Sequence, residues 1–137
     1  MSAQEGREGW MQVGELAERV RLSNRTVRYY DDQGLLTSAR SAGNYRLYSE
    51  ADVERMMLIR RMKPLGYTLE QMRDVLALLD ALDGRTDGAA APAGAPAGRA
   101  GLQDVVEDVQ QRRERLAEQL VSADEFLASL RQRLEGL

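Results

Sequence analysis

The chain has 137 residues, 43% hydrophobic and 30% charged, with a formal net charge of −3, which suits one core-forming domain with an extension. It contains neither cysteine nor histidine, which excludes disulfides, zinc sites built from these residues and cysteine nucleophiles, and leaves an enzyme few groups for acid–base catalysis. No apolar run approaches the roughly 18 residues of a membrane span and no signal peptide opens the chain, so we expect a cytoplasmic protein without a cofactor.

The first two predicted helices form a pair joined by a tight turn. Residues 1–9 lack hydrophobic periodicity and are interpreted as a flexible tail. Apolar side chains then recur at helical spacing over residues 11–20. Ser23 is a suitable N-cap for a second helix over residues 24–32, which Gly34 ends. Two short helices joined in this way are typical of a helix-turn-helix, whose second helix enters the major groove of DNA.

The second helix is predicted to have one basic face. At about 100° per residue, Arg25, Arg28 and Tyr29 share one side of this helix. Val27 and Tyr30 share the opposite side, which would pack while the first side presents two guanidinium groups and a phenol to solvent. DNA binding through the basic face is the functional interpretation. A helical hairpin with a solvated basic face is the alternative.

A small hairpin is predicted to follow this helix pair. Residues 44–48 alternate aromatic and non-aromatic side chains with period two, as a half-exposed strand does. Arg40 on one arm and Arg46 on the other would make a basic wing beside the second helix. Residues 21–46 carry five arginines against two aspartates, a net charge of +3, which favours a polyanionic partner.

Two further amphipathic helices are predicted after the wing. Ser49 begins the third helix and Gly66 ends it, while Thr68 opens a capping box for the fourth. Pro64 removes a backbone donor in the last turn of the third helix, so we expect that end to tilt. The expected inner faces are Val53, Met56, Ile59 and Met62 in the third helix and Leu69, Met72, Leu76 and Leu79 in the fourth.

Five blocks of sequence stand in a fixed order over about half of the chain. They are Gly14-Glu15-Leu16-Ala17, Thr26-Val27-Arg28-Tyr29-Tyr30, Gly34-Leu35-Leu36, Tyr45-Arg46-Leu47-Tyr48 and Leu65-Gly66-Tyr67-Thr68-Leu69. In this order and spacing they resemble the DNA-binding domain of MerR-family transcription regulators, over residues 11–79. The resemblance implies a winged helix in which the second helix pair forms an additional wing.

The resemblance also implies roles for individual side chains. Arg28 and Tyr29 would lie on the recognition helix at the major groove, and Arg46 and Tyr48 in the wing would grip the DNA backbone. No catalytic or metal-binding residue is expected. The predicted DNA-binding residues are Arg25, Thr26, Arg28, Tyr29, Arg40, Tyr45, Arg46 and Tyr48.

The last third of the chain divides into a linker and a long helix. Residues 84–101 contain 5 Gly, 7 Ala and 2 Pro and are interpreted as a flexible linker. In residues 102–137, positions alternately four and three residues apart are apolar at ten of eleven places, with Arg113 the exception, which indicates a coiled coil. The alternative is a helix folded back on its own domain. The predicted dimerisation residues are Leu102, Val106, Val109, Leu116, Leu120, Ala123, Leu127, Leu130 and Leu134.

These elements predict a mainly α fold, with a winged helix-turn-helix domain over residues 10–83 and a long C-terminal coiled-coil helix. We expect a bacterial, nucleoid-associated homodimer that binds a pseudo-palindromic operator in double-stranded promoter DNA. By the resemblance, the helices would pair antiparallel, and the dimer would distort the operator and act on RNA polymerase indirectly. The alternative is a coiled-coil interaction protein whose helix-turn-helix binds protein. Arg113 is expected to pair with Asp124 or Glu125 of the partner helix.

Overall fold

The computed structural model describes residues 9–85 and 96–137, in two compact units that divide between Gly94 and Ala95. None of the helices in these two ranges combines the length and apolar character of a membrane span. The first unit contains α1 (Val13–Val20), α2 (Asn24–Asp32), β1 (Ala39–Arg40), β2 (Arg46–Leu47), α3 (Glu50–Met62), a 3-10 turn (Lys63–Leu65) and α4 (Leu69–Leu82). The second unit is α5 (Gly98–Glu135). The fold class, a mainly helical chain with a winged helix-turn-helix and a long C-terminal helix, is confirmed.

The helix-turn-helix forms because each boundary is encoded locally. Arg21 ends α1 in the left-handed conformation, at φ 57°. The Oγ atom of Ser23 then accepts the backbone N–H of Thr26 at 3.0 Å, which caps the start of α2. Gly34, at φ +79°, reverses the chain after α2. The predicted bounds of α2 are therefore confirmed.

The wing is a two-stranded antiparallel hairpin with an additional backbone bridge. Ala39 pairs with Leu47 and Arg40 with Arg46. Beyond this pair, the backbone N–H of Met11 donates to the carbonyl of Tyr48 at 2.8 Å, and the N–H of Tyr48 donates back at 2.7 Å. Met11 is thus extended rather than helical, so α1 begins two residues later than the hydrophobic pattern predicts.

The capping sequences before α3 and α4 both close as predicted. Ser49 and Thr68 form capping boxes with Asp52 and Gln71. Pro64 lies in the 3-10 turn, because it lacks the N–H that a further α-helical turn would need. Of the predicted inner faces, Met56, Ile59, Met62, Met72 and Leu76 are buried, whereas Val53, Leu69 and Leu79 are half-buried.

Three arginines of α3 and α4 tie these helices to the helix-turn-helix through backbone carbonyls. Each donor nitrogen lies 2.7–3.2 Å from a carbonyl oxygen at or just after the end of α1 or α2. A cation at the end of a helix also complements the negative end of its dipole. The pairs are Arg60 with Val20, Arg73 with Gln33, and Arg55 with Leu35.

Arg55 makes a second, buried contact that the sequence pattern does not predict. Its Nη1 lies 2.8 Å from both carboxylate oxygens of Asp80, so α3 and α4 are joined by an ion pair inside the core. Both side chains are nearly covered, with exposures of 10% and 12%. Breaking a buried pair by removing one partner is strongly destabilising, because it leaves an uncompensated charge.

Helix α5 begins four residues earlier than the sequence predicts. The linker was expected to extend to residue 101, but residues 98–101 belong to the helix, whose first bond joins the N–H of Gly101 to the carbonyl of Ala97. Two of these four residues are glycines, which disfavour a helix, but Arg99 and Ala100 favour it, and extending an existing helix adds hydrogen bonds without a new nucleation step. Residues 86–95 of the predicted linker, like residues 1–8 of the predicted tail, lie outside the described residues.

The apolar seam of α5 is uncovered over most of its length. The exposed fractions of its leucines run from 38% at Leu102 to 69% at Leu134. Arg113, the one charged seam position, is exposed as well. A single surface helix seldom leaves so long an apolar row in water.

Candidate nucleic-acid interface

The exposed side of α2 carries the basic face that the sequence predicts. Arg25 and Arg28 are exposed, and the Tyr29 side chain is 47% exposed. Val27 and Tyr30 point the other way and are buried. The hydroxyl of the half-buried Thr26 lies 2.8 Å from that of Ser23, within the cap of the helix. Two guanidinium groups at the start of an exposed helix suit hydrogen bonding to base edges and phosphates.

The wing tip is a closed turn that holds Tyr45 outward. The N–H of Ser41 donates to the carbonyl of Tyr45 at 2.8 Å, and the hydroxyl oxygen of Ser41 accepts the N–H of Tyr45 at 3.1 Å. Asn44 takes the left-handed conformation at φ +64°, as a tight turn requires. The Tyr45 side chain is 61% exposed. Arg40 closes the turn from the side, because its Nη1 donates to the carbonyl of Asn44 at 3.1 Å.

A cleft of about 290 Å³ opens between the start of α1, the recognition helix and the wing. Three arginines line it, and arginine clusters of this kind bind phosphate through charge-assisted hydrogen bonds. Five of the eight predicted DNA-binding residues line the cleft. Four of these five are accessible to solvent, and the fifth, Tyr48, is buried. The residues that line the cleft are Gln12, Val13, Arg28, Arg40, Tyr45, Arg46 and Tyr48.

Arg46 is held in the wing by two carboxylates of α2. Its Nη1 lies 2.7 Å from Asp32 and 3.2 Å from Asp31. The hydrogen bond to Asp32, followed by the charges of both aspartates, raises the pKa of Arg46 above its ordinary value. The guanidinium group is therefore fixed beside the recognition helix while a third of the side chain remains exposed, at 35%.

Tyr48 is predicted to contact DNA, but the structure places it in the core. Its side chain is completely buried and its hydroxyl donates to Asp31 at 2.8 Å, so it does not reach the surface where DNA would lie. Burial, reinforced by the neighbouring Asp31, raises the pKa of Tyr48 to about 12. The missed signal was its place directly before the Ser49 capping box, where an apolar residue usually packs inward.

Two acidic residues that organise the wing also escaped the sequence analysis. Asp31 accepts hydrogen bonds from Ser38, Arg46 and Tyr48. Asp52 accepts the N–H and the hydroxyl of Thr37 at 2.7 and 2.9 Å, at the base of the wing. In the sequence, Asp31 only reduces the positive charge of residues 21–46, and Asp52 lies in the first turn of the predicted third helix. Their partners are too distant along the chain for spacing to reveal them.

Comparisons with known proteins agree with this geometry. The sequence profile described as MerR HTH family regulatory protein matches residues 11–79, and that described as MerR, DNA binding matches residues 53–122. The HTH-type transcriptional regulator HmrR of Rhizobium leguminosarum bv. viciae is 38% identical over 73 residues, which are 53% of this chain and 57% of that protein. The chain spans about half the length of the curated relatives it matches.

Two solved structures share the fold over most of the chain. The transcription regulator PbrR691 from Ralstonia metallidurans CH34, solved in complex with lead(II), is 30% identical with a TM-score of 0.56, covering 89% of this chain and 86% of that one. HiNmlR, a MerR family regulator lacking the sensor domain and bound to promoter DNA, has a TM-score of 0.65 at 17% identity, covering 87% and 79%. This second similarity shows the fold alone. The relatives are transcription regulators, which agrees with the expectation that the chain is not an enzyme.

Proposed function

This chain belongs to the MerR family of HTH regulatory proteins, and from this premise we propose that it is a homodimeric, sequence-specific DNA-binding transcription regulator. The observation that carries the proposal is the exposed basic face of α2 beside the arginine-lined cleft. A helix with this face fits the major groove of DNA, and the wing beside it could then contact the sugar–phosphate backbone of the same duplex. The proposal keeps the predicted division into a DNA-binding domain, a linker and a dimerisation helix.

Within this proposal, the predicted DNA-binding residues divide into two groups. Arg25, Arg28 and Tyr29 on α2 would contact base edges and the adjacent phosphates. Arg40, Tyr45 and Arg46 in the wing would contact the sugar–phosphate backbone, which sets the orientation of the domain without reading sequence. Thr26 would act through the helix cap it shares with Ser23, and Tyr48 through the core.

Selection from a random duplex library tests the DNA-binding half of the proposal. The wild-type chain should enrich a pseudo-palindromic duplex, and its affinity should fall steeply with salt, because each phosphate contact releases counterions. The alternative function, a helix-turn-helix that binds protein, predicts no enriched duplex and no steep salt dependence of duplex binding. Measuring affinity for the enriched duplex and for a mixed-sequence duplex at several salt concentrations separates the two functions.

We propose that the uncovered seam of α5 pairs with a second copy of the chain. Ten apolar positions at alternating four- and three-residue spacing need a partner helix of equal length, which a second copy provides. In the antiparallel arrangement that the family resemblance implies, Arg113 would lie near Asp124 or Glu125 of the other copy. Sedimentation equilibrium of the full chain should give twice the monomer mass, and a monomer at micromolar concentration would contradict the pairing.

Operator distortion is the most specific part of the proposal. Two identical recognition helices joined in one dimer would occupy two half-sites most favourably when the DNA between them adopts a matching twist and bend. By this mechanism the dimer would realign promoter elements and act on RNA polymerase through the DNA. Fluorescence energy transfer between the ends of the enriched duplex should change when the protein binds. An unchanged end-to-end distance would contradict the proposed distortion of the operator without contradicting DNA binding.

A further inference from the structure

Two carboxylates of α2 contact the wing, and of these Asp31 is the buried one with three donors. Asp31 lies in the last turn of α2, and its side chain is only 7% exposed. Its Oδ1 accepts the hydroxyl of Ser38 at 2.9 Å. Its Oδ2 accepts the hydroxyl of Tyr48 at 2.8 Å and the Nη1 of Arg46 at 3.2 Å. All three donors belong to the wing segment, residues 38–48.

The position of Asp31 is electrostatically unfavourable without these donors. A carboxylate near the C-terminus of a helix meets the negative end of the helix dipole, and α2 has no basic residue in its last turn. Burying a carboxylate is also costly unless hydrogen bonds replace its water. Among residues 9–85 and 96–137, the side-chain donors that offset both costs all belong to the wing. The hydrogen bonds of the Asp31 carboxylate are therefore kept only while the wing stays against α2.

The wing has few contacts of its own that would fix its orientation. Its strands are two residues long, and a two-stranded hairpin of this size is marginally stable by itself. Its base is held by Asp52 through Thr37 and by the bridge between Met11 and Tyr48. Neither contact reaches α2. Asp32 joins α2 to one arm of the hairpin through Arg46, whereas Asp31 joins α2 to both arms.

We propose that Asp31 is a positioning residue that fixes the wing relative to the recognition helix, so that Arg40, Tyr45 and Arg46 meet the backbone while α2 lies in the major groove. This inference rests on the proposed DNA-binding function. Asp31 has no contact with DNA in this role. It determines whether two separate sets of contacts are made at the same time, and hence how much the wing adds to specific binding.

The test compares Asp31→Asn with a matched control, Asp80→Asn. Both replace a nearly buried, hydrogen-bonded carboxylate by an amide of the same shape, but the partner of Asp80 is Arg55 in the α3–α4 core. Without DNA, hydrogen exchange of the Ser41 and Tyr48 amides is measured relative to the amides of α1, because Asp80 itself lies in α4. Asp31→Asn should raise this relative rate about tenfold, as the loss of hydrogen bonds to a charged group implies, and Asp80→Asn should not raise it.

The second measurement is the ratio of affinities for the duplex enriched by the wild-type chain and for a mixed-sequence duplex. Asp31→Asn should reduce this ratio about tenfold and Asp80→Asn should not. Ser38→Ala and Tyr48→Phe each remove one donor and should give smaller losses, so the test stands even if Asp31→Asn fails to fold. The double variant Asp31→Asn/Tyr48→Phe should lose less than the sum of its single changes, because both remove the same contact.

Unchanged wing exchange in the Asp31, Ser38 and Tyr48 variants overturns the inference, and so does an equal loss of the affinity ratio in Asp80→Asn. If the wild-type chain enriches no duplex, the proposed function fails, and the role of Asp31 in DNA binding fails with it. If the wild-type chain enriches a duplex and the wing variants keep the full ratio, the proposed function stands and this inference alone is wrong.

Discussion

Gly43 lies under the ring of Tyr45 at the wing tip. A Cβ atom added to Gly43 would fall 2.7 Å from Cε2 and 3.2 Å from Cδ2 of that ring, closer than carbon atoms pack. The obstructing atoms belong to the end of an exposed side chain, so the ring would turn away rather than the backbone unfold. The space left by this glycine therefore sets where Tyr45 points.

Gly43→Ala should weaken DNA binding with little effect on stability. We expect a loss of about 0.5–1 kcal/mol in binding, the size of one displaced hydrogen-bonding contact. The free energy of unfolding should change by less than about 0.5 kcal/mol, because the site is exposed. Gly14→Ala is the control, since a Cβ there meets nothing within 4 Å. Equal affinities for wild type and Gly43→Ala would show that the ring position is irrelevant to binding.

Arg28 should contribute to the discrimination between matched and mismatched DNA duplexes. Arg28→Ala should cost roughly 1–3 kcal/mol of binding to the selected duplex, because a bidentate contact to a base edge is lost. Arg28→Lys is the informative comparison, since it keeps the charge but not the two-pronged geometry. It should retain the salt dependence and still lose discrimination between matched and mismatched duplexes. An unchanged specificity ratio in both variants would reassign Arg28 to the DNA backbone.

In the proposed function, Asp32 would compete with DNA phosphate for Arg46. The Asp32 carboxylate is 57% exposed and lies 2.7 Å from the guanidinium group of Arg46, which lines the cleft. Asp32→Asn should therefore strengthen binding to any duplex by about 0.5–1 kcal/mol and steepen the salt dependence. Asp83→Asn, an equal charge change at the end of α4, is the control. Tighter binding of equal size in both variants would indicate a general charge effect.

The Tyr48 phenol should make stability depend on alkaline pH. Its pKa is raised from 10 to about 12 by burial and by Asp31, so folding favours the protonated phenol. This stabilisation is complete below pH 10 and is lost as the pH rises from 10 through 12, on the order of 2 kcal/mol in all. The Tyr48→Phe variant has no ionisable group at this position, so its free energy of unfolding should depend less on pH between 10 and 12. Denaturant unfolding at pH 9, 10 and 11 measures the difference.

Leu120, in the middle of the α5 seam, should be essential for pairing. Leu120→Glu should cost at least the roughly 2–5 kcal/mol of a buried Leu→Ala change and shift the chain to monomer. Gln111→Glu places the same charge on the side of α5 away from the seam and should leave the dimer intact. Sedimentation velocity of both variants decides the matter. Persistence of the Leu120→Glu dimer would place the interface elsewhere.

Most of the fold was predictable because its signals are local. Ser23, Gly34 and the capping boxes at Ser49 and Thr68 each act within a few residues, and each boundary they predict is found. The exposed face of α2 followed from helical periodicity for the same reason. The period-two pattern, by contrast, did not show that Tyr48 turns inward, because its burial depends on a backbone bridge to a residue far along the chain.

The buried polar contacts were beyond local inference. Arg55 and Asp80 are 25 residues apart, and each has the spacing and type of an ordinary surface charge. Asp31 and Asp52 reach partners 7 to 17 residues away, where only the folded chain brings donor and acceptor together. The boundary of α5 was missed for another reason. Composition predicts a linker, but an existing helix can extend over neighbouring residues, here two glycines included, because extension needs no new nucleation step.

The arginines that hold the helix-turn-helix bind carbonyl oxygens, which every amino acid supplies. The attachment of α1 and α2 to the scaffold is thus indifferent to which side chains α2 displays on its outer face. In the proposed function, substitutions at Arg25, Arg28 or Tyr29 would change the bound DNA sequence without weakening those anchors. The preferred operator and the attachment of the helices would then depend on different residues, so a duplicated copy of this chain could acquire new target promoters while keeping its fold.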